Sequence, residues 1–354
     1  MATSTISVSN LTLNPKEQSD FGKFIMELTF QKPELRAMHT VFEGVTMKEQ
    51  IVLASAIGLT GLKANGCTRQ ASGAQSNLSQ KYWEPAGIED TFENCQAEIN
   101  GLFKAYYDKI TEYREKYDIT GSDEQLFIAR LVEEAMNNTI YRAIWFADTD
   151  VAASDADTAG LKDGDNVKFF DYFDGIWKQV FEGVSDDLIK RIDISAQQST
   201  ETVSAANTYA NILAVYKAAD GRVRGDVNSK FYVDGQTFLG LMEYMQTESV
   251  NFTLEYTENG FQTVKFLGHE VINMEGIWDS NLQYFEADAT NHAAYLPHRI
   301  VFTMPSNLPI ATLNEDDMST LESWYNQDKR VNKVSYGFSL DAKVIDEKLI
   351  VVAY

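Results

Sequence analysis

Residues 331–354 read VNKVSYGFSLDAKVIDEKLIVVAY, and this stretch decides the fold class. Val334, Tyr336, Phe338 and Leu340 fall on every second position, the period that turns one face of a strand toward a core. Asp346-Glu347-Lys348 breaks the pattern, and Leu349-Ile350-Val351-Val352-Ala353-Tyr354 follows as an unbroken apolar run. Chain ends ordinarily fray into water. One made of Ile and Val must be covered, so the run predicts a strand built into a sheet or an interface.

Upstream, Ile300–Thr303 reads as another strand. Phe252–Tyr256 and Phe261–Phe266 flank Asn259-Gly260, a hairpin signal. Phe238–Met245 has helical spacing with Met242 and Met245 as packing residues, Lys230–Asp234 reads as a strand, and Val203–Ala219 as a helix closed by Gly221. Phe169–Phe181 is a short amphipathic element whose aromatics, Phe169 to Trp177, are expected in the core rather than on a ligand platform. Ser122-Asp-Glu-Gln125 is a capping box behind Gly121. It opens a helix with Leu126, Ala129, Val132, Met136, Ile140 and Ala143 on one face, running to about Ala147, roughly 37 Å at 1.5 Å per residue. Glu98–Tyr117 predicts a second helix. Gly58–Ser79, rich in Gly, Ser, Asn and Gln, predicts a long loop, and loops of that length are usually functional. Lys81–Pro85 leads back from it as an extended segment, and residues 1–20 form a polar arm. Helices and strands mix without regular β-α-β alternation or an internal repeat, so the fold class is α+β.

The chain has 354 residues, enough for two or three lobes with a real core, and a formal net charge of −22. Such acidity disfavours tight binding of nucleic acid, which rests on Lys and Arg neutralising phosphates, and favours solubility. No run of eighteen apolar residues is present, so no membrane span is expected. The start lacks a cationic segment followed by an apolar one, and no secretory signal is expected. Asn10, Asn77, Asn137 and Asn251 therefore read as chance N-x-S/T matches, and Cys67 and Cys95 as reduced thiols.

Motifs that carry chemistry are missing from the sequence. His39, His269, His292 and His298 show no H-E-x-x-H spacing, and Gly58, Gly61 and Gly66 match no phosphate-binding pattern. Asp155, Asp157 and Gly160 sit at three positions of a calcium loop, but Ala159 supplies no ligand at the fifth position and Asn166 stands at the twelfth, where a bidentate Glu is required. The acidic stretch with Asp148, Asp150, Asp163 and Asp165 reads as a solvated loop. No catalytic residue, metal site or cofactor is expected, and the chain reads as non-enzymatic.

The order of elements resembles the major capsid proteins of tailed bacteriophages. The resemblance rests on Tyr336-Gly-Phe-Ser-Leu-Asp-Ala-Lys-Val-Ile-Asp-Glu-Lys-Leu-Ile-Val-Val, Phe266-Leu-Gly-His-Glu-Val-Ile-Asn-Met with Trp278-Asp279, Val301-Phe-Thr-Met-Pro-Ser-Asn307-Leu308, and Lys230-Phe-Tyr-Val-Asp with the helix after it. It implies the α+β Johnson fold: an N-terminal arm over 1–43, an extended loop over 44–97, a peripheral domain with a spine helix over 98–185, an axial domain over 186–325, and closing strands over 326–354. The implied role is self-assembly into pentamers and hexamers of an icosahedral shell enclosing a DNA genome. The subunit would be made in the bacterial host cytoplasm and reside in the virion, with a scaffolding protein and a portal as partners, DNA contacted only non-specifically, and no membrane. An encapsulin-like compartment shell or another virion structural protein is the alternative. Lys81, Tyr82, Trp83, Leu349, Ile350, Val351 and Val352 are the expected assembly residues.

Overall fold

The structure is a computed structural model of the chain and describes residues 38–45, 48–54, 78–95, 135–136, 138–152, 161, 164–194, 203–248, 255–256, 262–285, 296–313, 322–326 and 331–354. The expected helix over 98–117, the capping box at 122–125 and most of the Gly-rich loop lie outside these residues.

The apolar run at the end of the chain is strand β14 (Ile350–Ala353), and it lies inside a seven-stranded sheet. One neighbour is β10 (Ile300–Thr303), antiparallel, with Val301 opposite Val352; the other is β5 (Lys190–Ile192), parallel. Beyond β10 come β6 (Lys230–Val233), β9 (His269–Asn273), β8 (Gln262–Phe266) and β7 (Glu255–Tyr256). Leu267 and Gly268, at φ 50° and 87°, make the two-residue turn between β8 and β9. Two consecutive positive φ values give the turn whose twist matches antiparallel strands, and Gly takes that conformation without a Cβ clash.

Alternate residues of this sheet enter two different cores. Tyr232, Ile272, Val301, Ile350 and Val352 face a cluster around Trp145, Trp177 and Trp278. Phe231, Val233, Val271, Phe302, Val351 and Ala353 face the other side. That second side is covered by α3 (Ala205–Ala218) and α5 (Gly235–Thr247), to which Met242 and Met245 contribute packing as expected. The first side is covered by α1 (residues 138–146), α2 (Ile176–Ser185) and the short α6 (Trp278–Leu282). A sheet buried on both faces needs apolar residues at every position, which is why the closing run does not alternate.

The aromatic segment packs inward as expected: Phe170, Phe173, Ile176 and Trp177 are buried, although Phe169 is exposed. Gly175 lets α2 start hard against α1, since a Cβ there would lie 2.8 Å from the Ala147 nitrogen and 3.0 Å from its oxygen. The helix over 205–218 ends differently from expectation. Gly221 does not close it; Ala219 turns extended, and Asp220 caps a separate helix, α4 (Gly221–Gly225), by accepting the Arg222 N–H at 2.8 Å. An Asp side chain that accepts a first-turn N–H opens a new helix where glycine was expected to close the old one.

The alternating stretch is β13 (Val331–Ala342). It pairs along ten residues with β4 (Ala86–Cys95) on one edge, and with β12 (Glu322–Asn326) and β11 (Ile310–Thr312) on the other. Tyr336, Phe338 and Leu340 bury against the tryptophan core. β1 (Val41–Glu43) adds in parallel to β11. The segment leading into it is tied to the large sheet, because the Tyr232 hydroxyl donates to the Met38 carbonyl at 2.8 Å. Burial raises the Tyr232 pKa above the ordinary phenol value, which keeps that donor protonated.

Two outcomes follow from the sheet. Val352, fully buried, faces the tryptophan core, so Val352→Asp places a carboxylate in an apolar interior and is expected to cost more than about 4 kcal/mol. Chemical denaturation of the variant should show a missing or strongly shifted unfolding transition. Gly175→Ala should cost about 1–3 kcal/mol by the same measurement, because backbone atoms of Ala147 cannot swing aside.

Candidate assembly interface

The titratable groups inside the body are used for structure. Asp234 is fully buried and caps α5: one carboxylate oxygen accepts from the Thr237 N–H at 3.0 Å and the other from the Arg299 N–H at 2.9 Å. His298 Nδ1 lies 3.5 Å from the same side chain. The buried Arg299 guanidinium donates through Nε to the Leu296 carbonyl at 2.6 Å and stacks 4.6 Å from the Trp177 ring centroid. Burial pulls its pKa down to about 9 against the opposing pull of Asp234 and Asp279. Asp279, which accepts the Gly235 N–H at 3.3 Å, is pushed up to about 7 by burial and then by Asp234 and Glu275. His39 is buried with Nδ1–H donating to the Leu308 carbonyl at 2.9 Å, and burial lowers its pKa to about 4. His269 Nδ1 lies 3.1 Å from the Ser229 carbonyl.

Asp148 and Asp150, from the acidic stretch, flank the Lys178 ammonium together with Glu182. Burial works against that ammonium, but the three carboxylates hold its pKa above the usual lysine value. These two acids thus already have a cation of the chain's own, and no group of three or more metal-ligating side chains occurs among the described residues.

The surface feature that stands apart is a hairpin. Strands β2 (Glu49–Ala54) and β3 (Leu78–Trp83) pair antiparallel with one another and with no other strand among the described residues. Period-2 alternation gives it an inner and an outer face. Trp83, Lys81 and Ile51 point inward: Trp83 is buried in a small cluster with Val45 and Ala311, separate from both large cores. The Lys81 ammonium donates to the Val344 carbonyl at 2.6 Å and pairs with Glu347. Gln50, Gln80, Tyr82 and Val52 point outward, with Tyr82 36% and Val52 57% exposed, and Lys48 sits 4.8 Å over the Tyr82 ring.

The expected assembly residues therefore divide. Of Lys81, Tyr82 and Trp83, only Tyr82 faces solvent. Ile350, Val351 and Val352 lie in the subunit's own sheet, and Leu349 packs against its second core. Sequence reasoning missed the pairing of Glu84 with Asp341, which joins the hairpin base to β13: the Glu84 N–H donates to an Asp341 carboxylate oxygen at 2.7 Å. Asp341 falls on the polar side of the alternation, yet it is fully buried, and burial raises its pKa.

Asp279 sets a pH dependence. Its folded-state pKa lies above the ordinary aspartate value, so its stabilising contribution is complete below about pH 4 and is lost as pH rises through about 7. Asp279→Asn should melt higher than the parent at pH 8, and the gap should close toward pH 5 in thermal melts.

A scan against protein-family models and a search of curated proteins find no match. Among solved structures, the chain is similar to one from Mycobacterium phage Ogopogo, with 8% identity and a TM-score of 0.50 over 91% of each chain. It is also similar to the satellite phage P4 procapsid including size determination (Sid) protein, with 13% identity and a TM-score of 0.49 over 94% of this chain and 98% of that one. A third is the capsid of an empty GTA particle computed with C5 symmetry, with 9% identity and a TM-score of 0.48 over 100% and 94%. Such low identity speaks to fold alone, and at that level the chain shares the α+β fold of the Ogopogo phage structure.

Proposed function

We propose that this chain is the major capsid protein of a tailed bacteriophage, a non-catalytic subunit that assembles into pentamers and hexamers of an icosahedral shell around DNA. The observation that carries the proposal is the β2–β3 hairpin: a two-stranded sheet with an amphipathic outer face, attached to a body of phage coat-protein fold. An isolated two-stranded hairpin is marginal in water. Its exposed Tyr82 and Val52 are suited to burial on a neighbouring subunit, and such a contact between unlike patches closes into rings. The net charge of −22 suits a container that must hold DNA without gripping it, since each phosphate contact would need a cation. A scaffolding protein and a portal are the expected partners, and the virion the expected location.

Leu349 to Val352 contribute to assembly through the fold: they hold the body to which the hairpin is attached. Tyr82 contributes directly. Electron microscopy of the purified protein with its scaffold should show closed shells. Tubes or rings would make it a tail component, shells loaded with an enzyme cargo would make it a compartment protein, and small oligomers under all conditions would overturn the shell reading.

Tyr82→Ser combined with Val52→Ser is expected to leave subunit stability within about 0.5 kcal/mol while sharply reducing shell yield in sedimentation. Trp83→Ala should instead cost about 3 kcal/mol in chemical denaturation, because it empties the hairpin's inner seat.

A further inference from the structure

The hairpin's attachment is slight. Among the described residues its side chains contribute to neither large core; the apolar seat is the small cluster of Trp83, Val45 and Ala311, with Ile51 against it. On one side only Glu84 and Pro85 separate β3 from β4. On the other, Gly44 at φ 87° has no atom within 4 Å of where a Cβ would be.

What the hairpin grips, by contrast, is rigidly held. The connector from β13 to β14 is hydrogen-bonded along its length. Val344 N–H donates to the Gln179 side-chain oxygen at 2.9 Å, Ile345 N–H to the Asn307 carbonyl at 3.0 Å, and Asp346 N–H to the Asn307 side-chain oxygen at 2.8 Å. Onto this connector the Lys81 ammonium closes, reaching the Val344 carbonyl and the Glu347 carboxylate. The side chains of Lys81 and Glu347 are 27% and 30% exposed, so the contact is shielded enough to matter and wet enough to be screened by salt.

We propose that Lys81 is an ionic latch that fixes the angle of the β2–β3 hairpin against the 343–347 connector in the unassembled subunit, so that salt and neighbouring charges regulate how the hairpin meets the next copy. This rests on the hairpin being the assembly element. The latch has one cation and two acceptors, and among the described residues its loss leaves the small Trp83 seat, the Glu84–Asp341 hydrogen bond and the Val45 N–H to Thr312 carbonyl bond to hold the lever. Hydrogen bonds of a charged donor are worth more than neutral ones, enough to shift a local opening equilibrium by about tenfold or more.

The test is hydrogen exchange on the unassembled full-length subunit, comparing the parent with Lys81→Met and Glu347→Gln. Lys81→Met keeps the aliphatic stem and removes only the ammonium. Amides over 78–85, including that of Glu84, are expected to exchange about tenfold faster in Lys81→Met, with a smaller increase in Glu347→Gln. Amides in β10 and β14 should be unchanged. Raising sodium chloride to about 1 M should bring the parent toward the variant, since the screening length falls to about 3 Å. Unchanged exchange over 78–85 in Lys81→Met, faster exchange throughout the molecule, or no effect of salt on the parent would each overturn the latch. Shell formation is scored separately. Shells with no latch effect would leave the coat-protein reading standing, and a latch effect in a protein that never forms shells would remove that reading alone.

Discussion

Four residues, Ile350–Ala353, join the two halves of the hydrophobic interior. They lie between β10 and β5, and their side chains alternate between the tryptophan core and the core under α3 and α5. Neither core is closed without them. Strands β6, β9, β10 and β14 each supply residues to both sides, so the cores share one wall, and a change in β14 is felt in both. This is also why a segment so close to the end of the sequence is fully buried. Tyr354 extends the arrangement: its ring meets Phe181 edge-on at 5.2 Å, and Arg191 stacks over it at 4.2 Å.

Charge inside such a wall needs compensation. Asp234 sits where β6 ends and α5 begins, and it accepts from the backbone of its own helix and of the segment entering β10. A helix N-terminus favours negative charge, so the carboxylate is stabilised by the helix it caps. Arg299 lies between this carboxylate and the faces of Trp177 and Phe146, where weakly hydrated guanidinium stacks well. In the tryptophan core, Trp278 packs edge to face with both Trp145 and Trp177, centred 5.1 Å from each. Aromatic edges against faces satisfy the ring quadrupoles that parallel stacking would oppose.

The body is thus stiff, and the hairpin's Lys81 and Trp83 engage it through one ammonium and one small apolar seat. The shell role proposed above asks for such a division, because neighbours in pentamers and hexamers of one chain are met at more than one angle. Rigid cores preserve the fold while an element with a small share of buried surface takes up the difference, which is where low-stability segments belong.

Much of the architecture was legible in the sequence for local reasons. The period-2 pattern at Val334–Leu340 and the Ile/Val run after Lys348 determined two strands, and the spacing of Phe238–Met245 determined a helix, because side-chain periodicity depends only on backbone geometry. The β2–β3 hairpin was legible only as a loop and a returning strand, since the short apolar run Ile51–Ala54 fits a strand and a buried helix segment alike. Tertiary structure decided the rest. That Tyr82 faces out while Lys81 and Trp83 face in depends on how the hairpin docks, and docking is set by residues more than two hundred positions away in Asp341, Val344 and Glu347. That Asp341 is buried depends on which strand end covers it. Periodicity fixes which residues share a face; only the packed chain fixes what that face meets.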